Sequence, residues 1–127
     1  MASYRTPLSR VRGLGSAKSG TEHFWRQRVT GAVNFILLIF VIFSVIRLAG
    51  APLDVVRAYF GSPLVAVPAL LFTFSATYHM RLGMQVIIED YIHKEASKLA
   101  LLFLNTLFAT AVALTSAVAI IKLSLGA

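Results

Sequence analysis

Residues 64–91 read LVAVPALLFTFSATYHMRLGMQVIIEDY. As far as Ile88 the only charge in this run is Arg81, and the run is long enough to cross a hydrocarbon core of about 30 Å as a helix. A histidine, His79, stands inside it. Polar groups at that depth are costly unless something pairs with them or is bound by them, so the residue needs an explanation. On a helix the eleven steps from His79 to Asp90 make almost three turns, which puts both on one face, roughly 16 Å apart along the axis. Gly83 lies on that face one turn after His79 and leaves clearance for a flat ligand. Tyr91 follows Asp90 at the end of the run.

Two further runs, about residues 29–46 and 99–121, contain no charge at all. The chain as a whole is 57% hydrophobic and 13% charged over 127 residues, too apolar for an ordinary soluble domain. No β pattern or internal repeat is present. The expected fold is therefore an all-α membrane protein: a basic N-terminal tail over residues 1–22, then a three-helix anchor over residues 23–127 with spans at about 29–46, 64–88 and 99–121.

A net charge of +7 would point to nucleic acid in a soluble protein, but here its placement points to the membrane. Arg5, Arg10, Arg12, Lys18, Arg26 and Arg28 precede the first span, with Glu22 the only acid among them. Lys94 and Lys98 fall between the second and third spans, on the same side. Arg47, Arg57 and Lys122 fall on the other. Eight against three places the N-terminus in the cytoplasm, or in the matrix of a mitochondrion, and the C-terminus outside. Residues 1–22 are rich in Ser, Gly and Arg, like a transit peptide. They run directly into the first span, however, and are read as a tail lying on anionic lipid headgroups or a soluble partner. The chain has no cysteine, so any iron–sulphur cluster must belong to a partner.

Between the spans, Pro52–Phe60 reads as an outer loop or a short interfacial helix. Ser62 and Pro63 form a helix start, with a capping hydroxyl and then a proline where no amide hydrogen is needed. Pro68 lies inside the second span, where it is expected to bend the helix. Glu89–Lys98 reads as a charged turn. Ala109, Ala113 and Ala117 make a stripe that lets another helix pack closely.

Each candidate residue has more than one reading. His79 is either a histidine hydrogen-bonded between helices, for instance to a Ser or Thr, or a proton relay, or the axial ligand of a b-type haem. His23 and His93 lie at the membrane edges, so a bis-histidine haem would take its second ligand from another protein. Asp90 and Tyr91 are either a wet helix end, or a quinone site in which the Tyr91 hydroxyl donates to a quinone carbonyl and Asp90 orients it or supplies a proton path. Glu89 faces elsewhere and is read as solvated. Arg26 and Arg28 are either topology signals that snorkel to phosphates, or partners for haem propionates. Arg81 lies about 200° around the helix from His79, facing away from any haem there.

These residues resemble the hydrophobic anchor of succinate dehydrogenase, the smaller partner of its cytochrome b subunit. The resemblance rests on the basic tail, on Arg28, Thr30 and Gly31 at the entry to the first span, and on His79, Gly83, Gln85 and Asp90–Tyr91. It implies that His79 is a haem b axial ligand, that Tyr91 meets the quinone with Asp90 beside it, and that Arg28 pairs with a haem propionate. Arg81 departs from the apolar or aromatic residue expected at its position. The implied partners are a flavoprotein subunit with FAD, an iron–sulphur subunit and the cytochrome b subunit, in a respiratory membrane complex. Two other classes compete: a self-contained small membrane cytochrome, and a structural or assembly subunit without a redox cofactor.

Overall fold

The computed structural model describes residues 6–13 and 20–126; the rest of the 1–22 tail lies outside the described residues. Its helices are α1 (Pro7–Val11), α2 (Gly20–Leu48), α3 (Leu53–Phe60), α4 (Pro63–Tyr91) and α5 (Glu95–Ser124). α2, α4 and α5 are long and apolar enough to cross a membrane, and no strand occurs among the described residues. The expected all-α, three-span fold is what forms.

The helices outrun the apolar runs that announce them. α4 has 29 residues, about 43 Å of helix against about 30 Å of hydrocarbon. Hydropathy ends where side chains turn polar, whereas backbone hydrogen bonding does not depend on that change. α2 accordingly begins within the basic tail, and the connection between α4 and α5 shrinks from the expected ten residues to Ile92–Lys94. Lys98 closes that turn by donating from Nζ to the Glu89 carbonyl at 3.0 Å, which satisfies one of the orphan carbonyls at the end of α4.

The start of α4 differs from expectation in a second way. Pro63 takes its place in the first turn, but the Ser62 hydroxyl makes no capping bond. The Val65 amide that it would have accepted from is taken at 2.9 Å by Ser62's own carbonyl. Helix geometry runs unbroken through Pro68. α3 is the short-helix alternative realised. Its Tyr59 hydroxyl lies 2.8 Å from Ser44 Oγ, whose own hydrogen goes to the Phe40 carbonyl, so Tyr59 donates. The Arg47 guanidinium lies 5.6 Å from the centre of the Tyr59 ring.

α4 is the central helix, packed on α2 and on α5. Ala109 and Ala117 of the alanine stripe are buried on α5, and Ala66, Leu82 and Ile88 are buried on α4. Asn105 of α5 donates from Nδ2 to the Arg81 carbonyl at 2.9 Å, a bond that settles a polar group inside the span. Few apolar side chains are fully buried within the chain. In hydrocarbon they have lipid and partner helices to meet instead.

Candidate functional site

α2 presents Gln27, Thr30, Gly31 and Asn34 to α4 at helical spacing, and His79 projects from α4 into that stripe. His79 Nδ1 lies 3.0 Å from Thr30 Oγ1. The Thr30 hydroxyl donates to the Arg26 carbonyl one turn back, at 2.7 Å. With that hydrogen committed, Thr30 accepts from His79, and the network assigns the proton to Nδ1. Nε2 is then the lone-pair nitrogen. Its nearest polar neighbour is Gln27 Nε2 at 3.5 Å, at the outer limit of a hydrogen bond.

Two glycines lie beside this contact. A Cβ on Gly31 would come within 3.3 Å of His79 Cε1, tight enough that the imidazole would have to give by a few tenths of an ångström. A Cβ on Gly83 would meet Gln27 Nε2 at 3.4 Å. Gly83 thus faces α2, on the His79 side of α4, and what meets it there is the Gln27 amide. His79 also lines an open groove of about 420 Å³ with Asn34, Phe35, Phe72 and Met80. The Asn34 Oδ1 and Gln27 Oε1 atoms are buried with no hydrogen-bond partner among the described residues. Such acceptors typically cost about 1–3 kcal/mol each when left unpaired.

Arg26 and Arg28 part company. Arg26 pairs with Glu22 and donates to the Tyr78 hydroxyl at 3.2 Å. Arg28 has no acidic partner among the described residues, and its guanidinium stacks 3.6 Å from the centre of the Phe24 ring. Asp90 and Tyr91 close α4, both exposed, Tyr91 at 77%. Tyr91 rims an apolar groove of about 460 Å³ between α4 and α5, whose one other polar lining residue is Asn105. Met80 lines this groove and the His79 groove alike, so the two are neighbours on α4. Along the helix, Tyr91 and His79 remain about 18 Å apart. Glu89 is engaged rather than merely solvated, accepting from Gln85 Nε2 at 2.8 Å.

Among the described residues no three His, Asp or Glu side chains converge to hold a metal ion. A porphyrin brings its own equatorial ligands and asks a protein only for axial ones. A single lone-pair histidine nitrogen and a cation with no acidic partner among the described residues fit that demand; a bare metal ion finds no cage among them. The sequence reading missed Gln27 and Asn34 and gave Thr30 no role. The signal was present: polar or small residues at 27, 30, 31 and 34 form one stripe on an otherwise apolar helix.

Residues 2–117 match the family model described as succinate dehydrogenase/fumarate reductase transmembrane subunit. The chain is 32% identical over 124 residues to the succinate dehydrogenase hydrophobic membrane anchor subunit of Paracoccus denitrificans, covering 98% of this chain and 95% of the relative. It is 29% identical over 89 residues to the protein of that name from Rickettsia bellii (70% and 71% covered). It is 28% identical over 106 residues to the one from Rickettsia conorii (83% and 84%).

Proposed function

The chain belongs to the succinate dehydrogenase/fumarate reductase transmembrane subunits, as a membrane anchor of succinate dehydrogenase, and from that premise we propose that it supplies one axial ligand of a shared haem b and part of a quinone-reduction site. The observation that carries the haem reading is the His79 tautomer. Thr30 accepts from Nδ1, which leaves Nε2 basic and directs the ring, the arrangement seen when a second residue orients a metal-bound histidine. A haem bound there would store and pass on one electron at a time. His79 would hold it, Thr30 and Gly31 would fix the imidazole ring, and Arg28 would pair with a propionate. The Gln27 amide moves aside from Nε2. A second ligand and the opposite wall would come from the cytochrome b subunit.

Quinone reduction consumes two protons as well as two electrons, and the residues at the end of α4 serve that need. Tyr91 donates to a quinone carbonyl from the rim of an apolar groove suited to a hydrophobic ligand, and Asp90 relays a proton from the aqueous side. The electrons arrive from succinate through the FAD of the flavoprotein subunit and the clusters of the iron–sulphur subunit.

The competing reading makes His79 a lock between α2 and α4, resting on the same Thr30 bond. The two part at Thr30→Val, which keeps the shape and removes the acceptor. If Thr30 positions a ligand, the assembled complex keeps its subunits but loses haem or shows a shifted midpoint potential, and Thr30→Ser restores both. An unchanged spectrum and potential in the Val variant would favour the lock.

The orientation proposed is an N-terminus and an Ile92–Lys94 turn in the bacterial cytoplasm, with the C-terminus outside. Ser97 is exposed in the first turn of α5, and the native chain has no thiol. A cysteine at Ser97 is expected to react with a membrane-impermeant maleimide only in inside-out vesicles. Labelling in right-side-out vesicles would reverse the topology and remove the docking side for the soluble subunits.

A further inference from the structure

Arg81 is the one charge within the apolar run of α4, and neither the haem nor the quinone reading uses it. Its side chain leaves α4 on the side away from His79 and lines a groove of about 420 Å³ between α4 and α5. Its Nε is buried, and the guanidinium makes no hydrogen bond or ion pair among the described residues. An arginine at this depth must find an acceptor.

The chain cannot supply an acid. Of its five, Glu22, Glu89, Asp90 and Glu95 lie at the Tyr91 end of the bundle, and Asp54 lies on α3 at the other end. Arg81 is ten residues from Tyr91, about 15 Å along the axis. A second copy of this chain therefore brings no carboxylate to that level, and a two-fold contact through this groove would bring two arginines together. A lipid phosphate fits poorly as well. From Arg81 the groove runs past Tyr78, Thr77 and Phe74, away from the Tyr91 end and deeper into the span. Its α5 wall is Ala109, Thr110, Ala113 and Leu114, of which the first three are small residues that admit a helix at close range. Tyr78 lines the same groove, while its hydroxyl is taken up by α2, accepting from Arg26.

We propose that this groove seats a transmembrane helix of a different chain, one that brings a carboxylate to Arg81. Arg81 is then a partner-selecting residue: a helix without the acid leaves a buried cation unpaired. The inference holds whether or not His79 carries a haem.

The test uses the intact complex, extracted in mild detergent through a tag on this chain. Arg81→Met removes the charge and suits a membrane helix. It is expected to insert at wild-type levels but to recover about tenfold less of the neighbouring membrane chain, with Arg81→Lys intermediate. Independently, a photo-crosslinking amino acid at Thr110, exposed on the groove, should join a membrane-spanning peptide of another chain that contains Asp or Glu. The same group at Leu107, exposed and outside the groove, should not yield that adduct. Unchanged recovery with Arg81→Met overturns the proposal. So does an adduct at Thr110 only to lipid, only to a second copy of this chain, or to no protein.

Discussion

Tyr91→Phe is expected to slow electron transfer from succinate to quinone by about 30- to 150-fold while leaving succinate oxidation by a dye that intercepts electrons before the membrane at its wild-type rate. The substitution deletes one hydroxyl and keeps the ring. Tyr91 is 77% exposed and its hydroxyl makes no hydrogen bond among the described residues, so folding should not register the loss. The bond to a quinone carbonyl strengthens as negative charge develops on that oxygen. Its removal should therefore depress turnover as well as affinity, by about 2–3 kcal/mol of transition-state stabilisation. Asp90→Asn is expected to impair the same step and to alter its dependence on pH, since an amide cannot relay a proton. Full quinone reductase activity and unchanged inhibitor sensitivity in Tyr91→Phe would reduce the tyrosine to an interfacial anchor and move the quinone pocket to the partner chains.

His79→Ala is expected to abolish or severely perturb the haem b spectrum while the chain still inserts. Alanine is at home in a membrane helix, and the residues around the vacated ring do not depend on it for their own bonds. Thr30 retains its bond to the Arg26 carbonyl at 2.7 Å, so α2 keeps its local geometry. Gly31→Val should approach the same result from the opposite helix, because its Cβ would sit 3.3 Å from His79 Cε1 and displace the ring. Loss of haem need not end succinate oxidation, since a quinone near an iron–sulphur cluster can take electrons from it directly. Haem content and midpoint potential are therefore the readouts that decide. Wild-type values for both in His79→Ala would sink the ligand assignment.

The spans were legible because hydrocarbon imposes so simple a demand: some twenty apolar residues in a row. Their ends were less so. Glu89, Glu95 and Lys98 look like a polar turn by hydropathy, yet two of them sit inside helices and the third begins one, since helical hydrogen bonds tolerate charge at a membrane surface. The Ser62 cap failed for a reason no sequence pattern carries, the tightening of one turn that gave its amide partner to a carbonyl. At the site, one helix showed its face: the spacing of His79, Gly83 and Asp90 stands in the sequence. What His79 meets does not, because contact between α2 and α4 depends on how two helices pair. The stripe from Gln27 to Asn34 could have been found by asking which polar residues of an apolar span share a side. Arg81 was already seen to face away from His79; the groove that receives it required α5 to be in place.

The most direct test of the account is a reduced-minus-oxidised spectrum of the complex purified through a tag on this chain, with every co-purifying subunit identified. The account predicts a b-type haem signal in a complex that contains a flavoprotein, an iron–sulphur protein and a second, larger membrane subunit carrying the other axial histidine. A complex of those subunits with no haem signal would contradict the role given to His79, and a haem signal from this chain alone would contradict the shared site.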